Sequence, residues 1–162
     1  MRGDGSGRSA RPAKTLAARA IAMLARREFS RAELRRKLVA AGDETDAAEV
    51  DRVLDDLVAL GYLSDARFAN AVVAQKSGSH SKRAIGATLK AHGVDTEAAS
   101  AALEASEVND DAAMVALWRR KFGTAPANDR DKARQVRFLQ SRGFSLSAIL
   151  KLLRAPPHEE GA

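Results

Sequence analysis

The sequence predicts an all-α protein built from short, stacked helices. Alanine and leucine dominate its 162 residues, aromatic residues make up 4% and β-branched residues are few, a composition that favours helices over sheets. Apolar residues recur three and four positions apart in nine segments, most of them bounded by a capping residue or a glycine. The alternation of polar and apolar residues that marks a half-buried strand does not occur convincingly anywhere.

Capping residues and glycines set the helix boundaries. A Ser, Asp or Asn side chain accepts a hydrogen bond from a free N–H of the first turn, whereas glycine adopts the left-handed conformation that ends a helix. At the second helix, Ser30 is followed three residues later by Glu33, which predicts a capping box. Counted from the capping residue where there is one, the predicted helices span about 14–27, 30–41, 46–60, 64–76, 81–92, 95–105, 109–122, 129–142 and 145–154.

A loose internal repeat accompanies these helices. A serine is followed by apolar residues four and eight positions later at Ser30, Ser81 and Ser145. Because a short helix with one apolar stripe cannot bury that stripe alone, the repetition predicts a stack of similar units, although any capped amphipathic helix gives the same pattern. In this alignment, Lys151 occupies the outward position equivalent to Arg36.

The net charge of +6 is unevenly distributed along the chain. Residues 1–40 and 118–155 each carry a net charge of +8, whereas residues 41–70 and 94–117 each carry −6. Basic blocks at both ends predict one or two surfaces that face a polyanion. The alternative is a solvated surface with attractive contacts between neighbouring blocks.

The residue inventory argues against an enzyme, a metalloprotein and a membrane protein. The absence of cysteine excludes a disulfide framework and a thiol nucleophile. His80, His92 and His158 are scattered without carboxylates at ligand spacing, and no Gly-rich phosphate loop occurs. No apolar run approaches the roughly 20 residues of a membrane span, and the charged N-terminus does not resemble a signal peptide. We therefore expect a cytoplasmic protein without cofactor or metal.

Residues 30–63 match the template of a winged-helix DNA reader up to the point where its wing should begin. The would-be reading helix carries five acidic residues and only Arg52 as a base, a net charge of −4, which has the wrong sign for phosphate contacts. The chain then continues through residues 64–73 with helical rather than strand periodicity. We therefore predict further helices in place of the wing.

Four segments carry a family resemblance: residues 26–38 (RREFSRAELRRKL), 60–69 (LGYLSDARFA), 119–123 (RRKFG) and 137–145 (RFLQSRGFS). In this order and spacing, they resemble the RecX regulatory proteins of bacteria over about residues 14–154. The resemblance implies an elongated, curved array of three tandem three-helix repeats, similar to winged helices without the wing. The expected divisions are a disordered N-terminal tail at 1–13, helical repeats at 14–62, 63–107 and 108–155, and a C-terminal tail at 156–162.

The resemblance also implies a function. RecX proteins regulate, and usually inhibit, the recombinase RecA: they bind its nucleoprotein filament, suppress its ATPase and strand exchange, and promote its disassembly, and DNA binding is attributed to them. We expect a monomeric, non-enzymatic regulator of DNA repair, homologous recombination and the SOS response, whose partners are the RecA filament and single-stranded DNA. The alternative is a stand-alone nucleic-acid-binding helical-repeat protein that needs no recombinase.

Arginine and lysine side chains are the predicted contacts to these partners. The first basic patch consists of Arg26, Arg27, Arg31, Arg35, Arg36 and Lys37, and the second of Arg119, Arg120, Lys121, Arg130, Lys132, Arg134 and Arg137, with Lys151 as a further candidate. Ordinary solubilising charge is the alternative for each of them, because exposed charges usually contribute little. Trp118 and Tyr62 are able to stack on bases, but their positions in the helical pattern predict that both lie in the core.

Overall fold

The computed structural model describes residues 14–42 and 45–157, and the predictions made for residues 1–13 and 158–162, including His158, lie outside these ranges. The described residues form an all-α array, as predicted. Its helices are α1 (Leu16–Leu24), α2 (Arg31–Ala40), α3 (Ala47–Ala59), α4 (Asp65–Lys76), α5 (Lys82–Ala91), α6 (Thr96–Ala105), α7 (Asp110–Lys121), α8 (Asp129–Ser141) and α9 (Leu146–Arg154). Within these ranges, no helix has the length and apolar character needed to cross a membrane.

The predicted capping residues begin the helices as expected. The confirmed N-caps, each accepting a hydrogen bond from a first-turn N–H, are Ser30, Asp46, Ser64, Ser81, Asp95, Asn109 and Ser145. The Ser30 hydroxyl accepts from the backbone N–H of Glu33 at 3.1 Å, but the Glu33 carboxylate turns to Arg27 instead of completing the capping box. Thr15 and Asn128, which were not predicted as caps, are the N-caps of α1 and α8.

Three separate hydrophobic cores hold the helices in groups of three. The first core joins α1, α2 and α3 around Leu34, Leu38 and Leu54, the second joins α4, α5 and α6, and the third joins α7, α8 and α9. Helices pack mainly on members of their own group. Each group of three helices therefore buries the apolar faces of its members, which a single amphipathic helix cannot bury alone.

Neighbouring groups are joined through the ends of their second helices. The Ser30 hydroxyl at the start of α2 donates a hydrogen bond to the carbonyl oxygen of His92 at the end of α5. At the next junction, the backbone N–H of Ser81 at the start of α5 donates to the carbonyl oxygen of Arg142 at the end of α8, at 3.0 Å. At both junctions, the start of the second helix of one group thus meets the end of the second helix of the next group.

Aspartates strengthen both junctions. Asp65 in the first turn of α4 accepts a hydrogen bond from the backbone N–H of Arg31 at 2.8 Å. Asp110 in the first turn of α7 accepts one from the backbone N–H of Lys82 at 2.9 Å. Each aspartate satisfies a free N–H at the start of a helix in the preceding group and lies near the positive end of that helix.

The register of the repeat differs from the prediction. Ser30 and Ser81 cap the second helices of their groups, whereas Ser145 caps α9, the third helix of the last group. The predicted equivalence of Arg36 and Lys151 is therefore wrong. The serine pattern misled because it marks any capped amphipathic helix, whatever its place in a group.

The core prediction is confirmed for Trp118 and wrong for Tyr62. Trp118 is 2% exposed, and its indole N–H donates to Oε1 of Gln135 at 2.9 Å. Tyr62 is 54% exposed because Gly61, with φ of +79°, reverses the chain so that Leu63 enters the core while Tyr62 points outward.

Candidate partner-binding surfaces

Arg31 and Arg35 of the first basic patch are bound to the neighbouring acidic helix. Arg31 lies 2.8 Å from a carboxylate oxygen of Asp55, and Arg35 holds both carboxylate oxygens of Asp51 at 2.8 and 3.3 Å. The hydrogen bond between Arg35 and Asp51 raises the pKa of the guanidinium and lowers the pKa of the carboxyl group. These contacts between α2 and α3 are the attractive contacts between charge blocks that the sequence left open as an alternative.

Arg27 also forms contacts within the fold, with Glu33 and Phe29. Its guanidinium lies 2.7 Å from Oε1 of Glu33 and 3.6 Å from the ring centre of Phe29. Glu33 is 8% exposed, and its hydrogen bond with Arg27 lowers the pKa of the carboxyl group. The Nδ1 atom of His92 lies 3.6 Å from the other carboxylate oxygen, so that this cluster spans the junction between the first two groups.

Three cations of the first patch are available to contact a partner. Arg26, Arg36 and Lys37 are exposed and form no ion pair with any described residue. Arg26 lies in the loop after α1, while Arg36 and Lys37 lie on α2. The structure therefore divides the first patch into these three available side chains and three that support the fold.

The second patch joins the end of α7 to α8. Arg119, Arg120 and Lys121 form the last turn of α7, where cations interact favourably with the helix dipole, and Arg120 donates a hydrogen bond to the carbonyl oxygen of Gly78 at 3.2 Å. The second half of the patch lies on α8, and its members are exposed: Arg130, Lys132, Arg134 and Arg137.

Three arginines of α8 share one face. Arg130, Arg134 and Arg137 are spaced four and three residues apart, and they line an open cleft of about 510 Å³. Arg134 lies 2.8 Å from the Asp131 carboxylate, which lowers the pKa of that carboxyl group. Arg130 and Arg137 form no ion pair with a described residue, so both can bind an anion.

Sequence reasoning missed a pair of phenylalanines at the centre of the second patch. Phe122 and Phe138 meet edge to face with their ring centres 5.5 Å apart. Lys121 lies 5.4 Å and Arg142 lies 5.1 Å from the ring centre of Phe138, and Arg134 lies 5.5 Å from that of Phe122. Arg142, the C-cap residue of α8, follows Phe138 by four positions, and this spacing is a signal that could have revealed the contact.

The remaining candidates lie apart from these clusters. Lys151 is exposed on α9 and does not belong to the Phe122–Phe138 cluster. His80 bonds its neighbour Ser79 at 2.8 Å, and burial lowers its pKa. Within residues 14–42 and 45–157, no three histidine or acidic side chains are grouped so as to hold a metal ion.

Known proteins share both the sequence and the fold. Residues 64–103 match the family model for the second three-helix domain of RecX, and residues 109–153 match that for the third. The chain is 43% identical over 151 residues to the regulatory protein RecX of Leptothrix cholodnii, covering 93% of this chain and 95% of the relative. It is 39% identical to that of Ralstonia nicotianae, covering 86% and 87%. The crystal structure of RecX from Lactobacillus salivarius superposes with a TM-score of 0.62 at 19% identity, covering 86% of this chain and 92% of that one.

Proposed function

This chain belongs to the RecX family of regulatory proteins, and we propose that it inhibits the recombinase RecA by binding the filament that RecA forms on single-stranded DNA. Membership of the family supports a role in regulating RecA in recombination and DNA repair. The finer part of the proposal is that filament binding lowers ATP turnover and strand exchange. The protein would act as a monomer and through binding energy alone.

The observation that carries the proposal is the uneven availability of the cations. In the first group, α3 neutralises Arg31 and Arg35, so that three candidate cations, Arg26, Arg36 and Lys37, stay exposed without an ion pair to a described residue. The third group exposes six such cations: Arg119, Arg120, Lys121, Arg130, Lys132 and Arg137. Free cations gain affinity for phosphates by releasing condensed counterions. We therefore infer that the third group faces the DNA of the filament.

The three cores support the proposed division into repeats at 14–62, 63–107 and 108–155, since each core draws its buried residues from one of these ranges, apart from Leu63, which belongs to the first core. An array of this kind offers several separate contacts along an extended partner. A filament state that matches the spacing of these contacts binds the array more tightly than other states do. Binding then shifts the filament toward that state, and we propose that it is a state of low ATP turnover.

The test is the ATPase activity of RecA on single-stranded DNA in the presence of substoichiometric amounts of this protein. We expect ATP turnover to fall as the protein is added. A parallel titration with single-stranded DNA, with and without RecA, distinguishes the two candidate functions. Tight binding only in the presence of RecA supports the regulator, whereas unchanged ATPase with equal binding to bare DNA supports a stand-alone nucleic-acid-binding protein.

A further inference from the structure

Three helix ends meet where the second group of helices joins the third: the C-terminal ends of α4, α7 and α8. Arg120, in the last turn of α7, donates a hydrogen bond to the carbonyl oxygen of Gly78, two residues after α4, at 3.2 Å. The carbonyl oxygen of Arg142, the C-cap residue of α8, accepts one from the backbone N–H of Ser81 at 3.0 Å. The segment that follows α4 is thus bonded to the ends of both α7 and α8.

Four cations gather at these helix ends. Lys76 is the last residue of α4, and Arg120 and Lys121 are the last two residues of α7. The ammonium group of Lys121 lies 5.4 Å from the ring centre of Phe138, and the guanidinium of Arg142 lies 5.1 Å from the same ring centre. We call Lys76, Arg120, Lys121 and Arg142 the junction cluster.

His80 supports the placement of two members of the cluster. This half-buried side chain, which bonds the hydroxyl of Ser79, lies between the end of α4 and the start of α5 in the chain. Its pKa is lowered first by burial and then by the positive charges of Lys76 and Arg142. Both cations therefore act on the same ring, and no carboxylate of a described residue offsets them there.

The junction cluster is also free of ion pairs. None of its four cations lies within 4 Å of a carboxylate in the described part of the chain. Two acidic residues occur at the same junction. Asp110 accepts a hydrogen bond from the backbone N–H of Lys82 at 2.9 Å and so faces the positive end of α5, and Glu107 lines an open cleft with Gly78. The four cations thus outnumber the two carboxylates.

The cluster extends the second basic patch onto the second group. Arg120 and Lys121 belong to both, whereas Lys76 and Arg142 were not among the predicted contacts. A row of free cations that crosses from one group to the next fits the evenly spaced phosphates of a nucleic-acid backbone. Arginine binds phosphate through two parallel N–H groups, and lysine binds it as a point charge.

We propose that the junction cluster is a phosphate-binding site at which the backbone of single-stranded DNA passes from the third group to the second. This inference rests on the proposed function, in which the DNA is that of the RecA filament. It assigns a binding role to Lys76 and Arg142, and it places part of the DNA contact on the second group. The contact then depends on the junction that holds the two groups together.

The test is the double variant Lys76→Gln, Arg142→Gln, measured at several salt concentrations on bare single-stranded DNA and on the RecA filament. On bare DNA, we expect the slope of log K against log salt to lose about 1.4 in magnitude, since each phosphate contact contributes about 0.7. The affinity for both ligands should fall by about tenfold at the lowest salt concentration. The double variant Lys76→Arg, Arg142→Lys, which keeps both charges, should bind with the wild-type slope.

The matched control is the double variant Lys90→Gln, Arg154→Gln. It also removes one cation from the second group and one from the third, and both residues are exposed without an ion pair to a described residue. Its slope should stay close to the wild-type value. Circular dichroism and the melting temperature verify the fold of every variant, because cations in a last turn also stabilise the helix end.

The outcomes separate the two proposals. If the wild type does not bind the filament, the proposed function is wrong, whereas a reduced slope on bare DNA would still support the phosphate site. If the wild type binds the filament and Lys76→Gln, Arg142→Gln matches it on both ligands, the phosphate site is wrong while the proposed function stands. An equal loss of slope in the control would also overturn the site, because total charge would then govern binding. If only filament binding falls, the cluster contacts an acidic surface of RecA, and its assignment to DNA is wrong.

Discussion

Gly143 packs so closely on Ala84 that a β-carbon on the glycine would lie 2.5 Å from the alanine Cβ. Gly93 stands in the same relationship to Ala32 one group earlier, at 2.5 Å, and both glycines have positive φ angles, +91° and +76°. Real β-carbons essentially never approach so closely, so either substitution must push two groups of helices apart. The two glycines therefore fix how successive groups are joined.

Replacing Gly143 or Gly93 with alanine should destabilise the protein more than replacing Gly61 does. All three positions have positive φ, which costs an alanine about 1–2 kcal/mol, but only the first two also lose the close contact between groups. We expect an additional loss of roughly 1–3 kcal/mol for the overpacked junction. Urea unfolding of the three variants measures the difference. Equal losses at Gly143 and Gly61 would mean that the junction yields without cost.

The acid stability of the protein should depend on Glu33. Its hydrogen bond with Arg27, together with the charges of Arg27, His92 and Lys37, keeps the pKa of the carboxyl group below its ordinary value despite burial. Because the folded pKa lies below the unfolded value of about 4.3, the ionised group stabilises the fold fully above that pH. This stabilisation is lost as the pH falls through the folded pKa.

Glu33→Gln should therefore lower the free energy of unfolding at pH 7 by on the order of 1 kcal/mol, and the difference from the wild type should shrink as the pH falls below about 4. Urea unfolding at a series of pH values measures it. Glu107→Gln is the control, since Glu107 is exposed and forms no ion pair with a described residue. A difference that stays constant down to pH 3 would contradict the assignment.

The hydrogen bond between Trp118 and Gln135 should contribute measurably to the third core. Gln135 is 1% exposed, and Gln135→Leu would leave the indole N–H without its partner, at a cost of about 1–3 kcal/mol. Trp118 is the single tryptophan, so its fluorescence during urea unfolding reports on this core. Gln140→Leu, on the exposed side of α8, should leave the unfolding midpoint nearly unchanged. A stable Gln135→Leu variant would show that the indole N–H finds another partner.

The features of the fold that the sequence predicted correctly depend on contacts between residues close together in the chain. Caps such as Ser64 and Asn109 act within one helical turn, so the residues that follow are enough to identify them. The exposure of Tyr62 depends on how the turn at Gly61 meets the core, and neighbouring residues do not specify that geometry. The register of the repeat was missed for the same reason, because the place of α9 in its group is set by packing.

The candidate site was predicted less completely than the fold. The basic residue types and their blocks were visible in the sequence, but the sequence does not show which cations face a carboxylate on another helix. Arg35 meets Asp51 across 16 residues of chain, and no spacing rule connects positions that far apart. Phe122 and Phe138 likewise meet only because the third core brings α7 and α8 together.

The salt dependence of binding to the RecA filament should be set by the cations that are free to contact phosphates, rather than by the total number of cations. Arg130 and Arg137 are exposed and form no ion pair with a described residue, whereas Arg31 and Arg35 hold the carboxylates of α3. Each phosphate contact on single-stranded nucleic acid adds about 0.7 to the magnitude of the slope of log K against log salt. The double variant Arg130→Gln, Arg137→Gln should therefore reduce that magnitude by about 1.4.

The matched control is the double variant Arg31→Gln, Arg35→Gln, which removes the same formal charge from the other end of the chain. Its slope should stay at the wild-type value and its melting temperature should fall slightly, because α3 would lose its counter-charges while the partner would lose no contact. Binding to the RecA filament on single-stranded DNA, measured at several salt concentrations, compares the two. Equal reductions of the slope would show that total charge governs binding, since ion pairing within the fold would then make no difference to the affinity.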